Sequence, residues 1–205
     1  MNELKIRERT SEELFLRKKG LFEIKKIFDK NNIPFFIWGG LLLGIKRDNN
    51  FIKWDWDVEL GLFEKDLRLN WIRIIKLLEK NDFDIIEKDY LNSKINFIKY
   101  KNKDITIFSL VGWRYDYITR NYIRKKLSVP KVFFSKMYEI SFENEKFFCP
   151  GPVDEFLKYF YGDWEKPVKT SDKNHYLSRS INKKNLWFLY TIIQKIIFKV
   201  SGAKK

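Results

Sequence analysis

The 205-residue chain contains one cysteine, Cys149, and one histidine, His175. A single cysteine excludes an internal disulfide framework and a cysteine-rich zinc site. The chain has five prolines, and neither a Pro- or Ser-rich linker nor an internal repeat divides it. Its first residues are polar and charged, unlike the basic and then apolar pattern of a secretory signal. We therefore expect one cytoplasmic domain over residues 1–205.

Acidic residues are scarce relative to basic ones. The 41 Lys and Arg residues against 27 Asp and Glu residues give a formal net charge of +14. This excess is compatible with an anionic partner, such as a phosphate-bearing substrate, an anionic lipid or a nucleic acid, and equally with a solvated basic surface. Because the basic groups are dispersed and no nucleic-acid-binding motif is present, nucleic acid is the least favoured partner.

Hydrophobic residues make up 44% and aromatic residues 18% of the chain, which excludes a disordered protein. Hydrophobic periodicity predicts an α+β fold, with a mixed sheet flanked by helices, a core over about residues 12–168 and a C-terminal helical segment over about 183–200. The predicted helices cover residues 11–30, 41–45, 67–80, 153–161 and 186–200. The predicted strands cover residues 34–38, 54–63, 83–87, 94–100 and 104–110, with a hairpin formed by 138–142 and 146–148.

Three acids alternate along the predicted strand 54–63: Asp55, Asp57 and Glu59. Side chains two residues apart emerge from the same face of a strand, about 6–7 Å from one another, so these three carboxylates would repel one another. Solvent would offset that repulsion, and so would a divalent cation with oxygen ligands. Tryptophan and aliphatic residues alternate with the acids. This predicts an apolar opposite face and a buried strand, which favours the metal.

A glycine pair, Gly39-Gly40, precedes a short apolar segment that we predict to be helical. Glycine permits close approach of a ligand to the backbone, and the first N–H groups of a helix can bind phosphate. Arg47 lies at the far end of this segment, where it could bind a second phosphate through two hydrogen bonds. The order of glycine pair, helix, arginine and acidic strand predicts a site for a nucleotide phosphate and a metal ion.

These motifs resemble the LicD/fukutin family of the nucleotidyltransferase-fold superfamily. The first matching block consists of Gly39-Gly40-Leu41, Leu42-Leu43-Gly44, Arg47-Asp48 and residues 54–59, which read WDWDVE. A second block lies downstream and contains Pro152-Val153, Tyr161-Gly162-Asp163-Trp164 and Pro167. Two separated blocks in the order seen in the family make the resemblance specific.

The chain departs from the family pattern at several positions. Leu41 replaces a threonine, Asp48 a histidine, Trp56 the middle aspartate of the triple, and Glu59 a further aspartate. A later acid of the family is expected at Thr106, and Asp104, two residues earlier, could substitute for it.

The resemblance implies transfer of a phosphate-linked group, such as phosphocholine or ribitol phosphate, from a CDP-linked donor to a sugar hydroxyl of a cell-surface glycan precursor. It implies Mg²⁺ or Mn²⁺ held by Asp55, Asp57 and Glu59, and a base that is Asp104 or Asp55. Gly39, Gly40, Arg47 and Asp163 would contact substrate. Two alternatives stay open: a nucleotidyltransferase acting on a small molecule, a protein or tRNA, and a non-enzymatic basic binding module.

The predicted helix over 186–200 is strongly apolar but, at about 15 residues with a lysine inside, is too short and too charged to span a bilayer. Lysines flank it on both sides. It could lie in an anionic membrane interface at the inner face of the membrane, near a lipid-linked glycan acceptor. A core helix or a dimer contact is the other interpretation.

Overall fold

A computed structural model describes residues 7–99 and 106–169. Its five α-helices are α1 Ser11–Lys30, α2 Gly39–Asp48, α3 Glu64–Leu69, α4 Trp71–Lys80 and α5 Val153–Tyr161. Its nine strands are β1 Phe36–Ile37, β2 Asp57–Phe63, β3 Asp84–Asp89, β4 Lys94–Lys99, β5 Thr106–Asp116, β6 Asn121–Arg124, β7 Leu127–Pro130, β8 Tyr138–Phe142 and β9 Glu145–Cys149. Asp104, His175 and the predicted helix over 186–200 lie outside the described residues.

The main sheet is mixed, as the sequence predicted. Its strand order is β1-β2-β5-β4-β3, and β6 and β7 extend it from the far end of β5. Strands β2 and β5 run parallel, whereas β1 pairs antiparallel to β2, and β4 antiparallel to both β5 and β3. Strands β8 and β9 form a separate antiparallel hairpin, which confirms the predicted one.

The two faces of the central strands differ in chemistry. The register pairs Val58 with Phe108 and Leu60 with Leu110, and these four side chains are buried. Helix α1 packs on this apolar face, because its Gly20 lies against the ring of Phe108. Since side chains alternate along a strand, Asp57 and Glu59 project from the opposite face. The acids of β2 therefore lie on the side of the sheet away from α1's contact with Phe108.

Helix α1 begins where the sequence predicted, at a capping box. The hydroxyl of Thr10 accepts from the N–H of Glu13, and the Glu13 carboxylate accepts from the N–H of Thr10. Such boxes satisfy two backbone donors that a helix start leaves without partners. Buried Leu21, Ile24 and Phe28 then form its apolar stripe. Helix α5 also has the predicted bounds.

Several predicted boundaries were wrong. Strand β1 has two residues rather than five, and β2 begins at Asp57 rather than at residue 54. The helix predicted over 67–80 is two helices, α3 and α4, which meet at Asn70, where φ is −99° and ψ is 9°. The hairpin of β6 and β7 was missed, since its four-residue strands carry no clear alternation. None of the helices within residues 7–99 and 106–169 is long and apolar enough to cross a membrane.

Candidate active site

The three predicted acids come from two adjacent pieces of backbone. Asp57 and Glu59 share one face of β2, but Asp55 lies in the turn before the strand, where its carboxylate accepts from the N–H of Trp56 at 2.9 Å. The prediction that all three belong to one strand was therefore wrong. Arg9, which precedes α1, also contacts this turn: its side chain donates to the Asp55 carbonyl at 3.4 Å. We call Asp55, Asp57 and Glu59 the acid cluster.

Trp56 does not belong to a buried face, contrary to the sequence prediction. Its side chain is 54% exposed. Because β2 begins only at Asp57, the alternation that would have buried Trp56 does not extend to it. Trp54 is partly buried and packs against the core.

The glycine pair lies directly against the acid cluster. Gly39 has φ +62°, and a Cβ there would meet Oε2 of Glu59 at 1.7 Å. A Cβ on Gly40 would meet Oδ2 of Asp55 at 2.0 Å. The Gly40 N–H donates to Oε2 of Glu59 at 2.9 Å. Only residues without a side chain fit here, so the glycines allow the start of α2 to contact two of the three carboxylates.

Burial and mutual repulsion make the acid cluster hard to ionise. Burial raises the pKa of Asp57 to about 7, and the Asp55 carboxylate adds to the rise. Burial likewise raises the pKa of Glu59 to about 8, with Asp57 contributing, while Arg124 and the Gly40 N–H oppose the rise. Burial also raises the pKa of Asp55, against the pull of Arg17. A cation bound among these oxygens would reverse each of these penalties.

Two arginines outside the predicted site interact electrostatically with the acid cluster. Arg17 of α1 is 0% exposed, and none of its three guanidinium nitrogens has a hydrogen-bond partner. Burial lowers the pKa of Arg17 to about 10, with Asp55 and Asp57 opposing, so it stays protonated at neutral pH. Arg124 of β6 lies over the Trp38 ring at 4.9 Å, and Glu59 and Asp57 are the acids that oppose the lowering of its pKa by burial.

Sequence patterning could not find these arginines. Arg17 and Arg124 each begin a basic triplet, Arg17-Lys18-Lys19 and Arg124-Lys125-Lys126, which is typical of a solvated surface. The apolar stripe of α1 gave one signal, because Arg17 precedes Leu21 by four residues and thus shares its buried face. Arg124 required the unpredicted β6 to be placed.

The residues present fit a Mg²⁺ or Mn²⁺ ion that is completed by substrate oxygens. Within residues 7–99 and 106–169, no group of three or more His, Cys, Asp or Glu side chains is arranged to hold a metal ion by itself. Mg²⁺, however, is usually held by one or two carboxylates together with waters and substrate phosphates. The acid cluster supplies hard oxygen ligands whose repulsion a cation would relieve, and this chemistry suits that ion.

The remaining predicted residues are not brought to the acid cluster by any contact in the described part of the chain. Arg47 lies about 12 Å along α2 from the glycine pair, as judged from helical rise. Its guanidinium binds Asp48 at 2.7 and 2.9 Å. Asp163 follows α5, is exposed and pairs with Lys166 at 2.7 Å. Their substrate contacts stay predictions, as does the role of Asp104.

The register of β5 bears on the later acid expected at Thr106. Asp57 pairs with Ile107 and Glu59 with Ser109, so Ile107 and Ser109 share the face of the acids. Thr106, one residue away, points to the other face by alternation. No acid therefore occupies the described part of β5 on the face of the acid cluster.

A sequence profile of the LicD/FKTN/FKRP nucleotidyltransferase domain matches residues 32–152, more than half of the chain. The chain belongs to the LicD family. The matched region contains the glycine pair, the acid cluster and Arg124, whereas Arg17 precedes it. Membership indicates that this LicD protein is a transferase. No curated protein sequence matches the chain.

Solved structures show the same fold. The solution structure of the antibiotic-resistance factor ANT(2'')-Ia has a TM-score of 0.51 and 14% sequence identity, and the match covers 93% of this chain and 95% of that one. The crystal structure of ANT(2'')-Ia in complex with adenylyl-2''-tobramycin has a TM-score of 0.50 and 13% identity, covering 92% and 99%. At these identities the likeness shows a nucleotidyltransferase-like fold alone.

Proposed function

We propose that this LicD protein transfers a substituted phosphate from a CDP-linked donor to a sugar hydroxyl of a cell-surface glycan precursor, and that the transfer depends on Mg²⁺ or Mn²⁺. The observation that carries the proposal is the contact between the glycine pair and the acid cluster. Two backbone positions without side chains lie against partly buried carboxylates at the start of a helix. Such an arrangement suits a phosphate group and a cation at one place.

Arg17 and Arg124 are suited to the negative charge of the donor diphosphate. Arg17 carries five N–H donors and has no acceptor, and a buried charged group without partners costs several kcal/mol unless a ligand supplies them. Phosphate oxygens match the planar guanidinium well. In this proposal Arg17 binds the diphosphate, and Arg124 offsets the negative charge of Glu59.

The proposed reaction forms one bond and breaks one. The acceptor hydroxyl oxygen bonds to the distal phosphorus of the donor, and the bond from that phosphorus to the CMP oxygen breaks, so CMP leaves with the electron pair. The hydroxyl proton passes to a carboxylate, for which Asp55 is the described candidate and Asp104 the alternative. A metal ion held by carboxylates of Asp55, Asp57 or Glu59, together with oxygens of the diphosphate, would neutralise charge on the diphosphate.

Nucleotidyl transfer is the second candidate, favoured by the fold shared with ANT(2'')-Ia, one structure of which holds an adenylylated product. In that reaction the hydroxyl would attack the α-phosphorus of a nucleoside triphosphate and release pyrophosphate. The same glycine pair and acid cluster could serve both reactions, because both act on a metal-bound polyphosphate.

The products distinguish the two candidates. Purified protein is incubated with Mg²⁺ and, in turn, CDP-choline, CDP-ribitol, CDP-glycerol and each nucleoside triphosphate, with a panel of sugars as acceptors. Our proposal predicts CMP from at least one CDP-linked donor, and none from the Asp57→Asn variant. Release of pyrophosphate from a nucleoside triphosphate, with every CDP-linked donor left intact, would refute this proposal and show nucleotidyl transfer instead.

A further inference from the structure

A row of polar side chains crosses the sheet beside the acid cluster. Glu59 of β2 pairs with Ser109 of β5, Ser109 pairs with Asn96 of β4, and Asn96 pairs with Glu87 of β3. Residues paired in register project from the same face. We call these four residues the polar row. With neighbouring strands about 4.8 Å apart, Ser109 lies about 5 Å and Asn96 about 10 Å from Glu59 across the sheet.

The middle of the polar row is buried and incompletely bonded. Asn96 is 8% exposed and Ser109 is 4% exposed. The Asn96 amide nitrogen donates to Glu87 at 2.6 Å, and Lys94 donates to the same carboxylate oxygen at 2.7 Å. The Asn96 carbonyl oxygen has no hydrogen-bond partner. A buried acceptor without a partner costs about 1–3 kcal/mol, so a ligand that donates a hydrogen bond there would gain affinity.

The polar row differs from its neighbours on the same face of the sheet. On the same face of the same two strands, Ile107 pairs with Ile98, an apolar pair typical of a sheet interior. Ser109 and Asn96 occupy the next position along, level with Glu59 rather than at the exposed sheet edge. Their placement puts two buried polar side chains beside the acid cluster.

We infer that the polar row is the floor of a subsite for a polyhydroxylated group adjoining the transferred phosphate. This inference rests on the proposed function and narrows its substrate. A hydroxyl can donate to the Asn96 oxygen and both donate to and accept from Ser109. A quaternary ammonium can donate no hydrogen bond and is recognised by aromatic faces. The polar row has no aromatic side chain, and the cationic Lys94 lies beside it.

Two sources of hydroxyls fit this chemistry: the head group of the donor and the acceptor sugar. The first arm of the test measures binding of CDP, CDP-ribitol and CDP-choline by calorimetry in Mg²⁺ to the wild type, Asn96→Val and Ser109→Ala. The second arm measures binding of free monosaccharides by saturation-transfer NMR, with and without CDP. Ser128→Ala is the matched control, because Ser128 is also a buried strand serine but lies on β7.

If the head group occupies the subsite, the wild type binds CDP-ribitol about fivefold or more tightly than CDP, and Asn96→Val removes that gain while leaving CDP binding unchanged. If the acceptor occupies it, Asn96→Val instead weakens sugar binding. Ser128→Ala changes neither. An Asn96→Val variant that folds, as judged by its thermal transition, and keeps both wild-type preferences would overturn the inference. Absence of binding by every CDP compound, together with Asn96-dependent sugar binding, would refute the CDP donor and leave the subsite standing.

Discussion

The backbone N–H of Gly40 donates a 2.9 Å hydrogen bond to Oε2 of Glu59, which ties the first turn of α2 to the acidic face of β2. The bond brings two sequence motifs, 19 residues apart, into one site. It is possible because neither Gly39 nor Gly40 has a side chain to occupy the space of the carboxylates.

The Gly40→Ala variant tests whether the close approach of the Gly40 backbone to the Asp55 carboxylate is needed for activity. Its Cβ would fall 2.0 Å from Oδ2 of Asp55, so the carboxylate must move. We expect activity to fall about 100-fold or more, since displacing a catalytic group by an ångström has that effect. Turnover per folded molecule is the measurement.

Gly20→Ala is the control for Gly40→Ala. It crowds the Phe108 ring at 2.6 Å, away from the acid cluster. We expect it to lower the free energy of unfolding by about 1–3 kcal/mol, as overpacking does, and to leave turnover per folded molecule close to the wild-type value. Equal losses of turnover in Gly20→Ala and Gly40→Ala would refute a special role for the glycine pair.

The stability of the metal-free protein should fall as the pH rises. Burial raises the pKa of Asp57 to about 7 and that of Glu59 to about 8, whereas both groups ionise near pH 4 when unfolded. Between these values the native state binds more protons than the unfolded state, so the free energy of unfolding decreases with pH and levels off above about pH 8. Thermal unfolding in EDTA from about pH 5 to pH 9 measures this slope.

Isosteric amides identify the groups responsible. Asp57→Asn and Glu59→Gln each remove one carboxylate whose pKa is raised, so each should flatten the slope and raise stability at about pH 8. Mg²⁺ should stabilise the wild type most at high pH, because it competes with protons for the same oxygens. A slope that is unchanged in both variants would show that these carboxylates are not the groups that titrate.

Removing the Arg17 guanidinium should weaken diphosphate binding. We expect Arg17→Met to bind CDP about tenfold or more weakly than the wild type, since charge-assisted hydrogen bonds contribute about 1.5–3 kcal/mol each. Arg17→Lys should restore only part of the affinity, because lysine lacks the planar pair of donors. Calorimetry with CDP and with cytidine separates the phosphates from the nucleoside.

Lys26→Met is the charge-matched control on the same helix, because Lys26 is exposed. It should leave CDP binding at the wild-type value. If Arg17→Met bound CDP as tightly as the wild type and Lys26→Met do, Arg17 would have no contact with the diphosphate. If both weakened binding equally, the effect would be one of net charge.

The motif-rich half of the site could be predicted from the sequence, because its chemistry is local. Glycine pairs, alternating acids and the capping region of α1 act within a few residues, and the mixed α+β fold followed from their order. Asp55 shows the limit: alternation predicts a shared strand, yet β2 begins only at Asp57, and Asp55 lies before it, where its carbonyl accepts from Arg9. Similarly, a helical pattern that is continuous in the sequence divides into two helices at Asn70.

The cationic half could not be predicted, because it is assembled by long-range packing. The charge of Arg17 acts on the acid cluster from the helix that precedes β1, and that of Arg124 acts from a hairpin that the sequence did not reveal. The polar row needs the pairing of four strands in a non-sequential order. Local pattern contains no information on which distant residues become neighbours.

The proposed function requires the acid cluster to hold a divalent ion together with a diphosphate, and this binding can be measured directly. Mn²⁺ is titrated into the wild type and Asp57→Asn in the presence of CDP, and the free ion is followed by electron paramagnetic resonance. We predict that the wild type removes the free Mn²⁺ signal in proportion to protein, and that Asp57→Asn binds about tenfold or more weakly because the site has lost one charged ligand. Equal Mn²⁺ binding by the two proteins would contradict the account.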